Sequence, residues 1–189
     1  FVTVVITVHN RFNFMDEAVH SVHEQTYRPI ELVIVDDHSD FPYASKFSTS
    51  NDFAIKIIRH TKNLGTGASR ETGRINSSGN YLAFMDSDDI WHPEKLSKQV
   101  KKLQENPDSG MCYCSLSTFE NLPIIGTETV RKRSTYEYNN FLPIIFIRRP
   151  WGTGSCLWTR DAIEKIGPWF RGWINDDKEY ECRAGCHDI

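Results

Sequence analysis

The stretch Tyr81-Leu82-Ala83-Phe84-Met85-Asp86-Ser87-Asp88-Asp89 is an apolar run that ends abruptly in three carboxylates. The run reads as a buried strand with acids at its C-terminal end, the edge where open α/β sheets bind ligands. Asp86 and Asp88 are two apart, so an extended chain turns both side chains to one side. Paired carboxylates repel unless a cation lies between them. Hard oxygen ligands suit Mg²⁺ or Mn²⁺, above all when the metal also carries substrate phosphates. Two readings stand at this point: a metal site for a phosphorylated ligand, and a solvated acidic loop that caps the next helix.

Upstream, Val2-Thr3-Val4-Val5-Ile6-Thr7-Val8 is a β-branched run suited to a strand buried on both faces. Asn13 is placed to cap a helix with Asp16 and Glu17 in its first turn and Met15, Val19 and Val22 as its apolar stripe. A second strand over residues 30–35 runs into Asp36 and Asp37, and a short third covers 55–58. Asn63-Leu64-Gly65-Thr66-Gly67-Ala68-Ser69-Arg70 turns into a helix reaching about Asn76. This loop lacks the Lys-Ser/Thr ending of a P-loop and the third Gly of a dinucleotide fingerprint, so it reads as a glycine turn. The order is β-α-β-(α)-β-α-β, the pattern of a doubly wound parallel sheet.

Downstream, Pro93 opens a helix carrying Leu96, Val100 and Leu103, and a fifth strand is expected over 111–116. The pattern fades over 118–150, where Arg131-Lys132-Arg133 reads as a solvated edge or lid. Ser155-Cys156-Leu157-Trp158 is a strand candidate and Thr159 caps a short helix ending at Gly167-Pro168. Asp176-Asp177 then opens a last helix carrying Arg183. Trp151, Trp169 and Trp173 suit either a sugar-stacking platform or packed core.

The 189 residues are 39% hydrophobic and 25% charged, with a formal charge of -3. That composition describes a globular domain and leaves no footprint for nucleic acid. No apolar run has the roughly 20 residues needed to span a bilayer. The chain opens at Phe1 inside a strand-like run and stops at Ile189 with no structural end, so it reads as trimmed from a longer chain. Cys112, Cys114, Cys156, Cys182 and Cys186 fit no common zinc spacing, and reduced thiols favour a cytoplasmic setting.

Two strands deliver acids to one sheet edge, and a neutral structure rarely gathers so many carboxylates without a cation. Arg70 stands beside that edge, placed to pair with a diphosphate. Taken together these pieces resemble the family 2 glycosyltransferases. They are Val4-Val5-Ile6-Thr7-Val8-His9-Asn10, Leu32-Val33-Ile34-Val35-Asp36-Asp37-His38-Ser39-Asp40, Asn63-x-Gly65 with Ala68-x-Arg70, and Gly79-Asn80-Tyr81 running into Phe84-Met85-Asp86-Ser87-Asp88-Asp89 and Pro93. Later come Gly167-Pro168-Trp169-Phe170 and Asp176-Asp177-x-Glu179 with Arg183.

The resemblance implies a GT-A fold, a Rossmann-like and mostly parallel sheet flanked by helices, with a smaller mixed acceptor-side region. It implies one domain with a nucleotide-sugar half over 1–116 and an acceptor half over 117–189. Thr7 and Asp37 would hold the nucleotide base with Asp36 in support, and Arg70 would touch the nucleotide. Asp86 and Asp88 would form the DxD element, the latter binding Mn²⁺ or Mg²⁺ and the former lying near ribose or metal; Asp89 would support or cap. Asp177, or its neighbour Asp176, would be the catalytic base of an inverting hexosyl- or N-acetylhexosaminyl-transferase. The donor would be a UDP-sugar, with dTDP and GDP as alternatives. A saccharide or lipid-linked acceptor would receive the sugar, in bacterial cell-surface polysaccharide or glycoconjugate synthesis. Cytoplasmic placement, association with the inner face of the membrane and homo-oligomers belong to the same expectation. Two departures stand out: the usual Glu-Asp pair is Asp176-Asp177, and the usual Gly after the first acidic pair is His38. The rival readings are a receiver-type phospho-acceptor domain, with Asp86 as acceptor, and a catalytically inactive module that binds nucleotide-sugar.

Overall fold

The computed structural model describes residues 1–117, 142, 144–147, 149–172 and 175–189. The Arg131-Lys132-Arg133 run, Trp173 and most of the region of faded pattern lie outside the described residues. Six strands form one sheet: β1 (Val2–Val8), β2 (Ile30–Asp36), β3 (Phe53–Arg59), β4 (Tyr81–Asp86), β5 (Met111–Tyr113) and β6 (Cys156–Thr159). Their order is β3-β2-β1-β4-β6-β5. β1 pairs in parallel with β2 and β4, and β2 with β3, while β6 runs antiparallel to both β4 and β5. The chain winds outward from β1 through β2 to β3, then returns to lay β4 on the other side of β1. That reversal is the topological switch point at which doubly wound sheets bind ligands.

Alternation along β1 sorts the core. Val2, Val4, Ile6 and Val8 face one cluster with Met15 and Val19 of α1 (Met15–His23) and Leu96 and Val100 of α3 (Lys95–Glu105). Val5 faces a second cluster that holds Phe84, Trp151, Trp158 and Trp169. Ile144 of the short α4 (Ile144–Ile147) packs against the same cluster, which takes Ile163 of α5 (Arg160–Ile166) and Tyr180 of α6 (Asp176–Cys186). α2 (Thr66–Ile75) lies on this second face, where a side chain at Gly73 would meet Val5 Cγ1 at 2.2 Å. Helices on both faces bury the sheet, as a mostly parallel sheet requires.

Several boundaries differ from the sequence reading. α1 starts at Met15 after Phe14, with no side-chain cap, so Asn13 is not its N-cap. β5 stops at Tyr113 instead of reaching residue 116, and residues 153–155 form a 3₁₀ turn, so β6 begins at Cys156. Thr159 does cap α5, its hydroxyl accepting from the Ala162 N–H. Asp89 does not cap α3, which begins six residues later. Trp151 and Trp169 are buried and cannot stack on a sugar at the surface. Trp169 stacks on Tyr180 at 4.0 Å and receives the edge of Phe84 at 4.8 Å. This aromatic column docks α6 of the second half onto β4 of the first, and β6 completes the merger by lying between β4 and β5. All five cysteines are free thiols.

Candidate active site

The strand register assembles the site. Thr7 lies opposite Asp86 on one side and Val35 on the other, and Val8 lies opposite Asp36. Thr7, Asp36, Asp37, Asp86 and Asp88 therefore gather at the C-terminal ends of three adjacent strands.

The first acidic pair is buried and engaged. Asp36 accepts from the Ser39 N–H at 2.9 Å and forms an ion pair with Arg59 at 3.4 Å. Asp37 accepts from the N–H groups of Leu64 and Gly65, both at 2.8 Å, and faces His60 Nδ1 at 2.7 Å. It thereby ties the glycine turn to the strand edge. Gly65 has φ 88°, a conformation that Cβ-bearing residues avoid, and it leads straight into α2. His38, standing where the family pattern has Gly, also has a positive φ of 63°. The backbone there keeps the glycine conformation, at a cost of roughly 1–2 kcal/mol for a side chain.

The second acidic group is open. The side chains of Asp86 and Asp88 are 47% and 46% exposed, and Asp88 meets Arg11 at 3.3 Å in a solvated pair. Asp89 stands behind them, where a Cβ at Gly154 would lie 2.3 Å from its Oδ2. Burial, and then the charges of Asp86 and Asp88, push its carboxyl up to about 6. Such a group is protonated more readily folded than unfolded, so its ionisation costs stability as pH rises from 3.8 to about 6. Asp89→Asn is therefore expected to stabilise the metal-free protein by about 2 kcal/mol at pH 7.5. The gain should fade as pH drops towards 4, and paired thermal melts at the two pH values measure it.

Arg70 joins the two ends of the site. Its Nη2 donates to Asp86 Oδ1 at 3.0 Å and its Nη1 to Asp176 Oδ2 at 2.8 Å. The guanidinium is buried and lies 5.1 Å from the centre of the Trp169 ring. Arg70 is thus already committed to two carboxylates, one from each half of the chain. Gly67 permits this closeness, since a Cβ there would lie 2.1 Å from the Phe170 carbonyl oxygen.

Asp177 lies one residue further and faces elsewhere. Its Oδ2 accepts from Arg149 Nη1 at 2.7 Å and its Oδ1 from the Lys178 N–H at 2.8 Å. Burial raises its pKa, but Arg149, the Lys178 N–H, Arg70 and the Thr153 hydroxyl outweigh that and hold it below the usual carboxylate value. Arg149 also clasps both oxygens of the buried Glu181. Sequence reasoning passed over Arg149 and Glu181. The usable signal was Glu181 four residues after Asp177, on the same helix face and in need of a cation. Arg183 grips Glu179 at 2.6 Å and reaches the Pro168 carbonyl at 2.6 Å, so it braces the Gly167-Pro168 turn.

A doubly wound sheet with acids gathered at its switch point, extended by an antiparallel pair, defines the GT-A class. Residues 3–166 match the glycosyl transferase family 2 profile, and the chain belongs to that family. A relative in Escherichia coli, the UDP-Glc:alpha-D-GlcNAc-diphosphoundecaprenol beta-1,3-glucosyltransferase WfgD, is 30% identical over 135 residues, covering 71% of this chain and 53% of that protein. An uncharacterized glycosyltransferase of Rickettsia felis is 40% identical over 106 residues, covering 56% of this chain and 17% of that protein. The chain thus spans about half the length of the first and far less of the second. Among solved structures, S. aureus TarS 1-349 in complex with UDP matches with a TM-score of 0.76 at 17% identity, over 97% of this chain and 54% of that one. The mannosyltransferase PcManGT from Pyrobaculum calidifontis, in complex with GDP-Man and Mn²⁺, matches with a TM-score of 0.66 at 18% identity, over 95% and 50%. Family membership sets aside the receiver-type reading.

Proposed function

We propose that the chain is the donor-binding and catalytic part of an inverting glycosyltransferase that moves a sugar from a nucleoside diphosphate to an acceptor hydroxyl. The observation that carries this reading is Arg70, which hydrogen-bonds Asp86 at the donor edge and Asp176 at the start of α6. It links the two acidic groups directly, although Asp176 is 106 residues away in sequence.

Asp86 and Asp88 would hold Mg²⁺ or Mn²⁺. Both are open, and their charges help to raise Asp89 behind them. Among the described residues no three His, Cys, Asp or Glu side chains form a metal-binding group; with only two protein carboxylates, donor phosphates and water would supply the remaining ligands, as is usual for Mg²⁺. Such a cation offsets the charge that builds on the departing diphosphate. Asp177 takes the proton from the acceptor hydroxyl, whose oxygen then bonds to the anomeric carbon as the bond from that carbon to phosphate breaks. Attack opposite the leaving group inverts the carbon. Asp177 suits the task better than Asp176, because its side chain is 25% exposed and that of Asp176 only 13%, locked against Arg70. Thr7 and Asp37 are assigned to the nucleotide base, and Asp36 supports them by anchoring residues 39 to 43.

UDP is the proposed nucleotide and a lipid-linked saccharide the proposed acceptor, in keeping with the E. coli relative. Among the described residues no helix is long and apolar enough to cross a membrane; a lipid-linked acceptor would be met at the membrane face. Residues 117–189 are assigned to the acceptor. A melting-temperature screen of UDP-, GDP- and dTDP-sugars with Mn²⁺ tests the proposal. A rise of several degrees with one nucleotide class is expected by linkage, and no rise with any of them would refute it.

A further inference from the structure

We infer that His60 is a positioning residue that leaves Asp37 with a single open acceptor site for the nucleotide base; the inference rests on the function proposed above. His60 follows β3 and lies at a junction. Its N–H donates to the Asp36 carbonyl at 2.9 Å, its Nδ1 meets Asp37 Oδ1 at 2.7 Å, and its Nε2 meets Thr72 Oγ1 of α2 at 2.9 Å. The ring is 8% exposed and the Asp37 side chain 6%. A ring with two polar ends is costly to bury unless both ends are bonded, as they are here. An ionised carboxylate only accepts, so Nδ1 carries the proton that faces Asp37.

Counting acceptor sites gives the consequence. Each carboxylate oxygen offers about two lone pairs. Oδ1 of Asp37 receives the Leu64 N–H and His60 Nδ1, while Oδ2 receives the Gly65 N–H. Among the described residues one site on Oδ2 has no donor, and three bonds hold the carboxylate that carries it. A single fixed acceptor suits a base whose ring nitrogen carries a hydrogen, as in uracil, and not one whose corresponding nitrogen is itself an acceptor, as in cytosine. Without the His60 bond, Asp37 has a second open site, so the distinction weakens.

The test compares dissociation constants for UDP and CDP, each with Mg²⁺, in the wild type and three variants. His60→Asn places its amide nitrogen where Nδ1 was and keeps the Asp37 bond. His60→Gln places its amide near Nε2, keeping the Thr72 contact and losing that of Asp37. Thr72→Val does the reverse. The wild type, His60→Asn and Thr72→Val are expected to favour UDP over CDP by about tenfold or more, and His60→Gln by about threefold or less. In the unmodified protein, UDP with Mg²⁺ is also expected to shift the His60 imidazole resonances. A His60→Gln protein that keeps the full preference overturns the inference. So does a proportional loss of UDP and CDP affinity in His60→Gln, which marks a merely structural ring. Unchanged His60 resonances at UDP saturation overturn it without recourse to any variant. Wild-type protein that binds neither nucleotide refutes the proposed function, and this inference with it.

Discussion

Asp177→Asn is expected to lower sugar transfer by about 10³-fold while leaving UDP affinity within about twofold of the wild type. Asparagine keeps the size of the side chain and an oxygen for Arg149, but it cannot take a proton from the acceptor. The ion pair holds the Asp177 carboxyl below its ordinary value, so the carboxylate stays ionised through mildly acidic pH. Turnover limited by this base should therefore not fall between pH 7 and 5. Single-turnover rates and nucleotide titration of the same preparation separate the two effects. Full activity in Asp177→Asn with a large loss in Asp176→Asn would move the base one residue back. A catalytically silent binding module would show no transfer to lose in either protein.

Arg149→Met is expected to be the most destabilising of the changes considered. Glu181 is 2% exposed, and Arg149 meets both its oxygens as well as Asp177. Removing one partner of a buried ion pair typically costs about 3–5 kcal/mol, because the other charge stays behind uncompensated. That is a large share of the roughly 5–15 kcal/mol that holds a domain together. It corresponds to a fall in melting temperature of about 10 °C for a chain of this size. Adding Glu181→Gln to the Arg149→Met protein removes the stranded charge and should recover part of the loss. A melting point within about 3 °C of wild type would show that Glu181 protonates without penalty and that Arg149 serves only Asp177.

The acidic C-terminal edge of the sheet was legible because its signals are local. β1, β2 and β4 are buried on both faces and read as near-continuous apolar runs, and each carries its candidate site residues at or just beyond its C-terminal end. The Thr159 cap was legible for the same reason. Contacts between distant segments were not. Nothing near Arg70 announces that Asp176 will take its other nitrogen, and nothing near Arg149 announces Glu181. Trp151 and Trp169 have the composition of a sugar platform, and only tertiary packing shows Trp169 pressed between Phe84 and Tyr180. Asp36 and Asp37 read as acids at the sheet edge, and only the structure shows what holds them in place: neighbouring N–H groups, Arg59 and His60. Asp86 and Asp88 keep the exposure that binding needs.

Those two side chains give the most direct test. UDP added with Mn²⁺ should raise the wild-type melting temperature well above the shift from UDP with a chelator, since a ligand at 100 times its dissociation constant adds about 2.7 kcal/mol. In Asp88→Ala the Mn²⁺-dependent part of that shift should vanish while the protein stays folded, because Asp88 is exposed and its ion pair with Arg11 is a solvated contact. An Asp88→Ala protein that keeps the whole Mn²⁺-dependent shift would contradict a metal–diphosphate site at Asp86 and Asp88.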